Sequence, residues 1–198
     1  MRPLFQLGPR LALCAALVRQ GGSLCDVGTD HAYLPIWLLK TGKISRALAC
    51  DINPGPLVAA RRDGEKYGVG EELSFRLSDG LRSVSPQEAE DTVIAGMGGE
   101  LILRIVLETP WLRDSSRRLV LQPMSSVPQL RRGLAQAGFA VLEEEAVVDG
   151  GKVYSAFAAQ YRGAPREEGP LYPYVGKLRP GAPHVERYAQ KVLRELSA

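Results

Sequence analysis

Short apolar runs alternate with amphipathic segments along most of the chain, and the two kinds of segment differ in period. Consecutive apolar residues that end at Gly or Asp predict buried strands, whereas apolar residues spaced three or four apart predict helices. The predicted strands are Ser23–Val27, Arg46–Cys50, Leu73–Leu77, Asp91–Ala95 and Arg118–Leu121. The predicted helices are Leu7–Gln20, a segment from about Leu34, Pro54–Tyr67, Glu100–Glu108 and Val127–Gly138.

The alternation ends with two apolar segments in direct succession, Ala140–Val148 and Lys152–Gln160. The connection Asp149-Gly150-Gly151 is typical of a tight hairpin, so this last pair of strands is expected to be antiparallel. Repeated strand–helix units predict a doubly wound, mostly parallel sheet. We therefore predict an α/β fold with a seven-stranded sheet and a terminal antiparallel hairpin. This is the architecture expected of Rossmann-like class I methyltransferases, since an ordinary nucleotide-binding fold continues with another crossover helix.

The C-terminal part has a different composition, which places a domain boundary near residue 161. Residues 1–161 form the predicted main domain, and residues 162–198 form a linker and a short helical extension. Arg162–Pro183 is rich in Pro, Gly and charge, and His184–Leu196 predicts one last helix. The extension holds 7 basic and 4 acidic residues, against 18 of each before it. This excess weakly favours an anionic partner, although a solvated helix face would have the same composition.

The apolar run near the N-terminus and the cysteines indicate in which cellular compartment the protein is expected. Leu11–Val18 is too short to cross a membrane and leads directly into a predicted strand, which favours a packed helix over a signal peptide. Cys14, Cys25 and Cys50 are odd in number and form no C-x-x-C pair, which favours buried reduced thiols. We therefore expect a cytoplasmic protein that does not contact a membrane.

The most informative motif runs from Leu24 to Pro35, where an apolar strand enters a turn with one glycine and two carboxylates. This turn lacks the G-x-G-x-x-G pattern of dinucleotide sites and the lysine-containing loop of phosphate sites. An acidic turn repels phosphate and suits a cofactor that carries an amine, a ribose and a sulfonium cation. The expected cofactor is therefore S-adenosyl-L-methionine.

Polar or glycine-bearing turns follow four successive predicted strands, and such turns meet at one edge of a parallel sheet. In this hypothesis Gly28 allows close approach of the backbone, Asp51 accepts the ribose hydroxyls, and Asp79 accepts from the adenine amine while Gly80 leaves room for the ring. A plain turn would also explain Asp79 and Gly80. The candidate cofactor-binding residues are Asp26, Gly28, Asp51, Ile52, Asp79, Gly80, Ala95 and Gly96.

The candidate substrate-binding residues lie in two of these turns. The three glycines around Met97 favour close approach of the backbone to a flat substrate rather than side-chain packing, and Met97 either packs on the substrate base or fills the core. His31 either orients its loop or contacts the substrate. With only His184 as a second histidine and no Cys/His cluster, a zinc site is not expected, nor is any other metal. The set is His31, Tyr33, Met97, Gly98 and Gly99.

Paired arginines recur along the chain, and such pairs are more often solvated helix faces than contacts to nucleic acid. They are Arg61-Arg62, Arg117-Arg118 and Arg131-Arg132.

Taken together, these motifs resemble the bacterial tRNA (adenine-22-N1)-methyltransferase family. The resemblance is carried by Asp26–Pro35, Asp51–Leu57, Ser78–Leu81, Ile94–Gly99 and Leu121–Pro123, with Gly151–Tyr154 in the closing strand. It implies methyl transfer from S-adenosyl-L-methionine to N1 of an adenine in the D-arm of tRNA, with Asp30 as the catalytic residue beside the reacting base. Members carry a pair of C-terminal helices, whereas this chain predicts about one.

Two other functions are compatible with parts of the pattern. An S-adenosyl-L-methionine enzyme could act on a small molecule or a protein, and a catalytically silent RNA-binding module could keep the same fold. A nicotinamide dehydrogenase is disfavoured because the glycine pattern of its phosphate loop is missing. With tRNA as the partner, we expect the protein to act as a monomer.

Overall fold

The structure is a computed structural model that describes residues 3–197. Its centre is a seven-stranded sheet with the strand order β3-β2-β1-β4-β5-β7-β6. The strands are β1 (Ser23–Val27), β2 (Arg46–Asp51), β3 (Leu73–Leu77), β4 (Asp91–Gly98), β5 (Arg118–Ser125), β6 (Phe139–Asp149) and β7 (Lys152–Tyr161). The helices are α1 (Pro9–Leu17), α2 (Tyr33–Lys40), α3 (Pro54–Tyr67), α4 (Gly99–Leu107), α5 (Val127–Gln136), α6 (Tyr172–Val175) and α7 (Val185–Leu196).

The direction of the strands agrees with the sequence. Strands β1 to β5 pair in parallel, and β7 pairs antiparallel with both β5 and β6. The strand order reverses between β1 and β4, which is where ligands bind in open α/β sheets, beyond the carboxyl ends of the strands. The predicted doubly wound sheet with a terminal antiparallel hairpin is confirmed.

Helices cover both faces of the sheet, and each face has its own apolar cluster. Helix α1 packs into one of these clusters through Cys14, Ala15 and Leu17, which confirms that the N-terminal apolar run is a packed helix. It is shorter than predicted because Pro9 begins it and Val18 is already extended. Within the described residues, no helix is long and apolar enough to span a membrane.

The three cysteines are buried free thiols, as predicted. Burial raises the pKa of Cys14 to about 12. The sulfur atoms of Cys25 and Cys50 lie 3.8 Å apart in the sheet. The hydrogen bond with Cys50 and burial raise the pKa of the Cys25 thiol well above its usual range. Because both thiols are fully buried, they are inaccessible to reagents and poor nucleophiles.

The C-terminal segment packs on the main domain more closely than a linker would. Tyr172 and Tyr188 are buried, and Tyr188 belongs to a small apolar cluster with Ala146 and Val153 of the terminal hairpin. The hydroxyl group of Tyr188 accepts a hydrogen bond from Arg131 at 3.1 Å. Residues 172–188 therefore contribute to the fold rather than only connecting it to a last helix.

Arg131 contradicts the interpretation of its arginine pair as a solvated helix face. Its side chain is fully buried and forms an ion pair with the equally buried Glu144. Its guanidinium group also donates to Ser155 and to the carbonyl groups of Pro173 and Tyr174. Helix α5 directs this side chain toward β6 and the C-terminal segment, a neighbourhood that local sequence does not reveal. Arg132, in contrast, is exposed.

Candidate active site at the carboxyl ends of the strands

The strand register brings the predicted residues to one edge of the sheet. Val27, the last residue of β1, is in register with Cys50 on one side and with Ile94 on the other. The turns that follow these strands therefore lie side by side, and Asp79 follows the neighbouring strand β3. The structure thus groups the acidic turns of β1 to β3 with the glycine-rich end of β4.

The turn after β1 is held by the backbone of β2. The amide groups of Gly28 and Thr29 both donate to the carbonyl oxygen of Cys50, at 2.8 and 2.9 Å. Gly28 has a φ of +75°, a backbone conformation that other residues rarely adopt. The terminal methyl group of Met97 lies where a Cβ of residue 28 would be. Gly28 therefore allows β4 to approach the turn, and Met97 covers it.

Asp26 is a buried carboxyl group at the bottom of this turn. Its carboxylate accepts a hydrogen bond from the Thr29 hydroxyl group, at 2.7 Å. Burial raises the pKa of Asp26 from 3.8 to about 6, the Thr29 hydrogen bond opposes the shift, and the nearby Asp51 carboxylate adds to it. A carboxylate in such a place is stabilised by a bound cation.

Asp51 and two exposed apolar side chains form the next part of the site. One carboxylate oxygen of Asp51 accepts the backbone amide of Asn53 at 2.7 Å, which fixes the side chain at the end of β2. Ile52 and Leu77 are 60% and 56% exposed, although both are large aliphatic residues. A carboxylate beside exposed apolar groups offers hydrogen bonds to hydroxyl groups and packing to a flat ring.

Asp79 has partners that the sequence did not indicate. Its carboxylate lies between Arg82, at 2.9 Å, and Arg104 of α4, at 3.4 Å. Gly80 has a φ of +59°, and an added Cβ would lie 2.9 Å from the Ile105 side chain. Glycine at this position therefore also allows α4 to pack closely. The proposed contacts of Asp79 and Gly80 with an adenine ring remain predictions.

The glycine-rich end of β4 serves packing as well as backbone exposure, which corrects the expectation from sequence. Gly99 is buried at the start of α4, and an added Cβ would lie 2.5 Å from the Ser126 carbonyl oxygen. Gly98 faces the Ser125 hydroxyl group, at 3.3 Å from such a Cβ. Met97 packs partly against the core. Contact of Met97, Gly98 and Gly99 with a substrate remains a prediction.

His31 joins two carboxylates at the mouth of the site. Its Nδ1 lies 2.8 Å from the Asp63 carboxylate of α3, and its Nε2 lies 3.6 Å from that of Asp30. The ring stacks on Tyr33 with a centroid distance of 5.2 Å. Asp63 is 7% exposed in its side chain and Asp30 is 85% exposed. Asp63 thus connects the His31 ring to α3, and Asp30 projects toward solvent beside it. Contact of His31 and Tyr33 with a substrate remains a prediction.

Sequence reasoning missed Asp63, because its place in α3 gives no local signal of a partner in the β1 turn. The described residues contain no group of three or more His, Cys, Asp or Glu side chains that could hold a metal ion. The arrangement offers two buried carboxyl groups, two half-buried ones, one exposed carboxylate and bare backbone; these are Asp26 and Asp63, Asp51 and Asp79, and Asp30. Such a set suits binding and alignment of a cationic nucleoside rather than covalent catalysis.

Comparison with known proteins identifies the group to which this site belongs. The family model described as a methyltransferase domain matches residues 7–157. A candidate tRNA (m1A22) methyltransferase of Streptococcus pneumoniae has a solved structure that superposes with a TM-score of 0.87 and 32% identity. The match covers 97% of this chain and 87% of that one. The chain belongs to the tRNA (adenine-22-N1)-methyltransferase family. The resemblance found in the sequence motifs is confirmed.

One further relative and a second structure of the S. pneumoniae protein are informative. The tRNA (adenine(22)-N(1))-methyltransferase of Bacillus subtilis is 35% identical over 155 residues, which are 78% of this chain and 65% of the relative. This chain therefore matches slightly less than two thirds of the length of that enzyme. The S. pneumoniae protein has also been solved in complex with S-adenosyl-L-methionine, with a TM-score of 0.86 and 33% identity. That match covers 95% of this chain and 88% of the other.

Proposed function

We propose that this protein transfers a methyl group from S-adenosyl-L-methionine to N1 of the adenine at position 22, in the D-arm of tRNA. The observation that supports it most is the convergence of Asp26, Gly28 and Asp51 at the carboxyl edge of the sheet, where the strand order reverses between β1 and β4. Relatives with this fold include an enzyme named for that reaction and a structure that holds the cofactor. We further propose that the protein acts in the cytoplasm, where its tRNA substrate is modified.

The residues at this edge fit the proposed cofactor. The buried Asp26 carboxylate would bind the ammonium group of the methionine part, and the free oxygen of Asp51 would accept the ribose hydroxyls. Ile52 and Leu77 would pack on the adenine ring, and Gly28 leaves the backbone bare where a side chain would intrude. When bound, the cofactor supplies an electrophilic methyl group on a sulfonium centre.

The chain's own residues would bind and align the acceptor base. Adenine N1 carries a lone pair and no proton, so no side chain has to remove a proton from it. The base must be unpaired or flipped out before N1 is accessible. Asp30 would then accept a hydrogen bond from the N6 amine, and this bond strengthens as positive charge develops on the ring. His31, fixed by Asp63, and Tyr33 would form one wall of the base pocket.

A basic groove leads away from this edge and suits a nucleic-acid backbone. It runs between the end of β5 and helix α7 and comprises two adjoining cavities of about 500 and 400 Å³. Both cavities share Met124, Lys191 and Glu195, whose carboxylate lies 3.8 Å from the Lys191 ammonium group. Ser125 at the same strand end is paired with Gly98. Its cationic side chains are Arg132, Lys152, Arg187, Lys191 and Arg194. We propose that tRNA phosphates lie along this groove.

Charge reversal in this groove tests the proposed RNA path. The double variant Arg132→Glu/Arg194→Glu should raise the KM for tRNA by about tenfold or more, because two phosphate contacts become repulsive. The kcat should stay within about twofold, since neither residue reaches the reacting base. A matched control is Arg46→Glu/Arg113→Glu, which reverses two exposed charges at the opposite edge of the sheet. Equal KM values for the two double variants would place the RNA elsewhere.

The pKa of Asp26 gives a pH dependence to cofactor binding. Its pKa of about 6 without ligand means that the carboxyl group is largely neutral at pH 5 and ionised at pH 7. A ligand ammonium group binds the ionised form, so the affinity for S-adenosylhomocysteine should increase by about tenfold from pH 5 to pH 7. Titration calorimetry measures this, and Asp26→Asn should flatten the profile. A wild-type profile as flat as that of the variant would remove Asp26 from this role.

The proposed reaction is tested by incubating the protein with methyl-labelled cofactor and either total RNA or total protein. Label in RNA supports the proposal, and label only in protein indicates the alternative class of methyltransferase. Binding of S-adenosylhomocysteine without any transfer would indicate a catalytically silent module. Absence of S-adenosylhomocysteine binding by a folded protein would exclude both methyltransferase functions.

A further inference from the structure

A buried glutamine lies behind the glycine-rich end of β4. Gln122 in β5 is fully buried, in a position between Leu121 and Pro123 that is otherwise apolar. Gln122 lies within the sequence motif Leu121–Pro123, but neither cofactor binding nor RNA binding as proposed above uses its side chain. A buried carboxamide without partners is costly, so its hydrogen bonds indicate what it does.

The pairing of β4 with β5 is interrupted at this glutamine. Ala95 is in register with Gln122 and Met97 with Pro123, so Gly96 is an additional residue in β4, with a φ of +76°. Pro123 has no amide hydrogen to donate at this place. The backbone of β4 bulges at Gly96, directly before the residue that covers Gly28.

The Gln122 carboxamide replaces the missing pairing. Its oxygen accepts the Gly96 amide at 3.2 Å, and its nitrogen donates to the Pro123 carbonyl oxygen at 3.0 Å. Arg10 of α1 also donates to the same oxygen, at 3.1 Å. Because the Gly96 amide and the Arg10 guanidinium group are both donors only, the atom they share has to be the oxygen. Arg10 therefore fixes which way the carboxamide is turned.

Arg10 is itself held on its other side. Its Nε donates to the Asp149 carboxylate at 2.8 Å, in the turn of the terminal hairpin. Its guanidinium group lies over the ring of Tyr154, 5.4 Å from the centroid. The guanidinium group is thus held on both sides, and one hydrogen-bonded path leads from Asp149 through Arg10 and Gln122 to Gly96.

We propose that Gln122, oriented by Arg10, is a positioning residue for the β4 bulge that carries Gly96 and Met97. This inference rests on the proposed function and on the sequence-based predictions that Gly96 contacts the cofactor and that Met97 contacts the acceptor base. The pair would act through Gly96 without contacting either ligand. A shift of about 1 Å in a group that aligns reacting atoms costs up to a hundredfold in rate.

Gln122→Met removes the acceptor for Gly96 while keeping a similar side-chain length. We expect kcat, normalised to the concentration of protein that binds cofactor, to fall by about 10- to 100-fold. The affinity for S-adenosylhomocysteine should stay within about threefold of wild type. Arg10→Met should give a fall in the same direction. Gln122→Glu keeps the acceptor and should retain kcat within about fivefold of wild type. Glu145→Gln, an exposed carboxylate of β6 outside this hydrogen-bonded path, is the matched control and should stay within about twofold.

Amide hydrogen exchange provides a readout that does not depend on activity. The Gly96 amide should exchange faster in Gln122→Met and remain protected in Gln122→Glu. The exchange rates of the β1 and β2 amides should be unchanged in both variants. Unchanged Gly96 exchange in Gln122→Met, or a kcat within about threefold of wild type, would overturn the inference. If the wild-type protein methylates no RNA, the proposed function fails, and the exchange experiment still decides whether Gln122 positions the bulge.

Discussion

Asp30→Asn is expected to lower the kcat for adenine methylation by about 10- to 100-fold. The reason is the charge of the carboxylate, because a hydrogen bond to a charged group contributes about 1.5–3 kcal/mol and each 1.4 kcal/mol is a factor of ten in rate. Asparagine keeps the size and can still accept from the N6 amine, but it does not respond to the positive charge that develops on the ring. The loss should therefore fall on the transition state.

Two measurements separate this role from a general effect on the site. Asp30 has an 85% exposed side chain, whereas the carboxyl group proposed to bind the ligand amine, Asp26, is buried. We therefore expect Asp30→Asn to bind S-adenosylhomocysteine within about threefold of wild type. Glu71→Gln, an exposed carboxylate at the opposite edge of the sheet, is the control and should be fully active. An Asp30→Asn enzyme with the wild-type kcat would refute the catalytic assignment.

Arg131→Met should destabilise the protein by about 3–5 kcal/mol. The change leaves the Glu144 carboxylate buried without its guanidinium partner, and breaking a buried pair from one side has a cost of this size. It also removes the donor to Tyr188 and to the Pro173 and Tyr174 carbonyl groups, which attach the C-terminal segment. The free energy of unfolding from urea denaturation, followed by circular dichroism, measures the effect.

Two further variants test whether the decrease in the free energy of unfolding comes from the buried ion pair. Arg132→Met changes the exposed neighbour on the same helix and should alter the free energy of unfolding by about 0.5 kcal/mol or less. Arg131→Met/Glu144→Leu removes both charges and should recover part of the stability, because an apolar pair can replace a buried ion pair. A loss of less than about 1 kcal/mol in Arg131→Met would show that the pair does not hold the segment.

The positions of the strands, and the edge of the sheet that carries the candidate site, can be predicted from local sequence. Strands such as Ser23–Val27 are short apolar runs, and a polar or glycine turn follows each, so both the strands and their functional ends are visible in the pattern. The antiparallel hairpin was predictable for the same reason, since Gly150 and Gly151 mark its turn. Parallel pairing then places those turns together.

The side-chain contacts between different helices, strands and turns could not be predicted from local sequence. Asp63 reaches His31 from α3, Arg104 reaches Asp79 from α4, and Arg131 reaches Glu144 from α5. A helical pattern indicates which face is buried but not which residue lies opposite. An arginine or aspartate on such a face therefore looks solvated in the sequence. The packing role of Gly99 was missed because its neighbour, the Ser126 carbonyl group, belongs to a distant turn.

The most direct test of the account is mass spectrometry of tRNA after incubation with the protein and S-adenosyl-L-methionine. Nucleoside analysis detects 1-methyladenosine, and fragments from a specific ribonuclease locate it. We expect one new methyl group, on the adenine at position 22, and none in a tRNA that has guanine at that position. Methylation at another position or base, or none by a protein that binds S-adenosylhomocysteine, would contradict it.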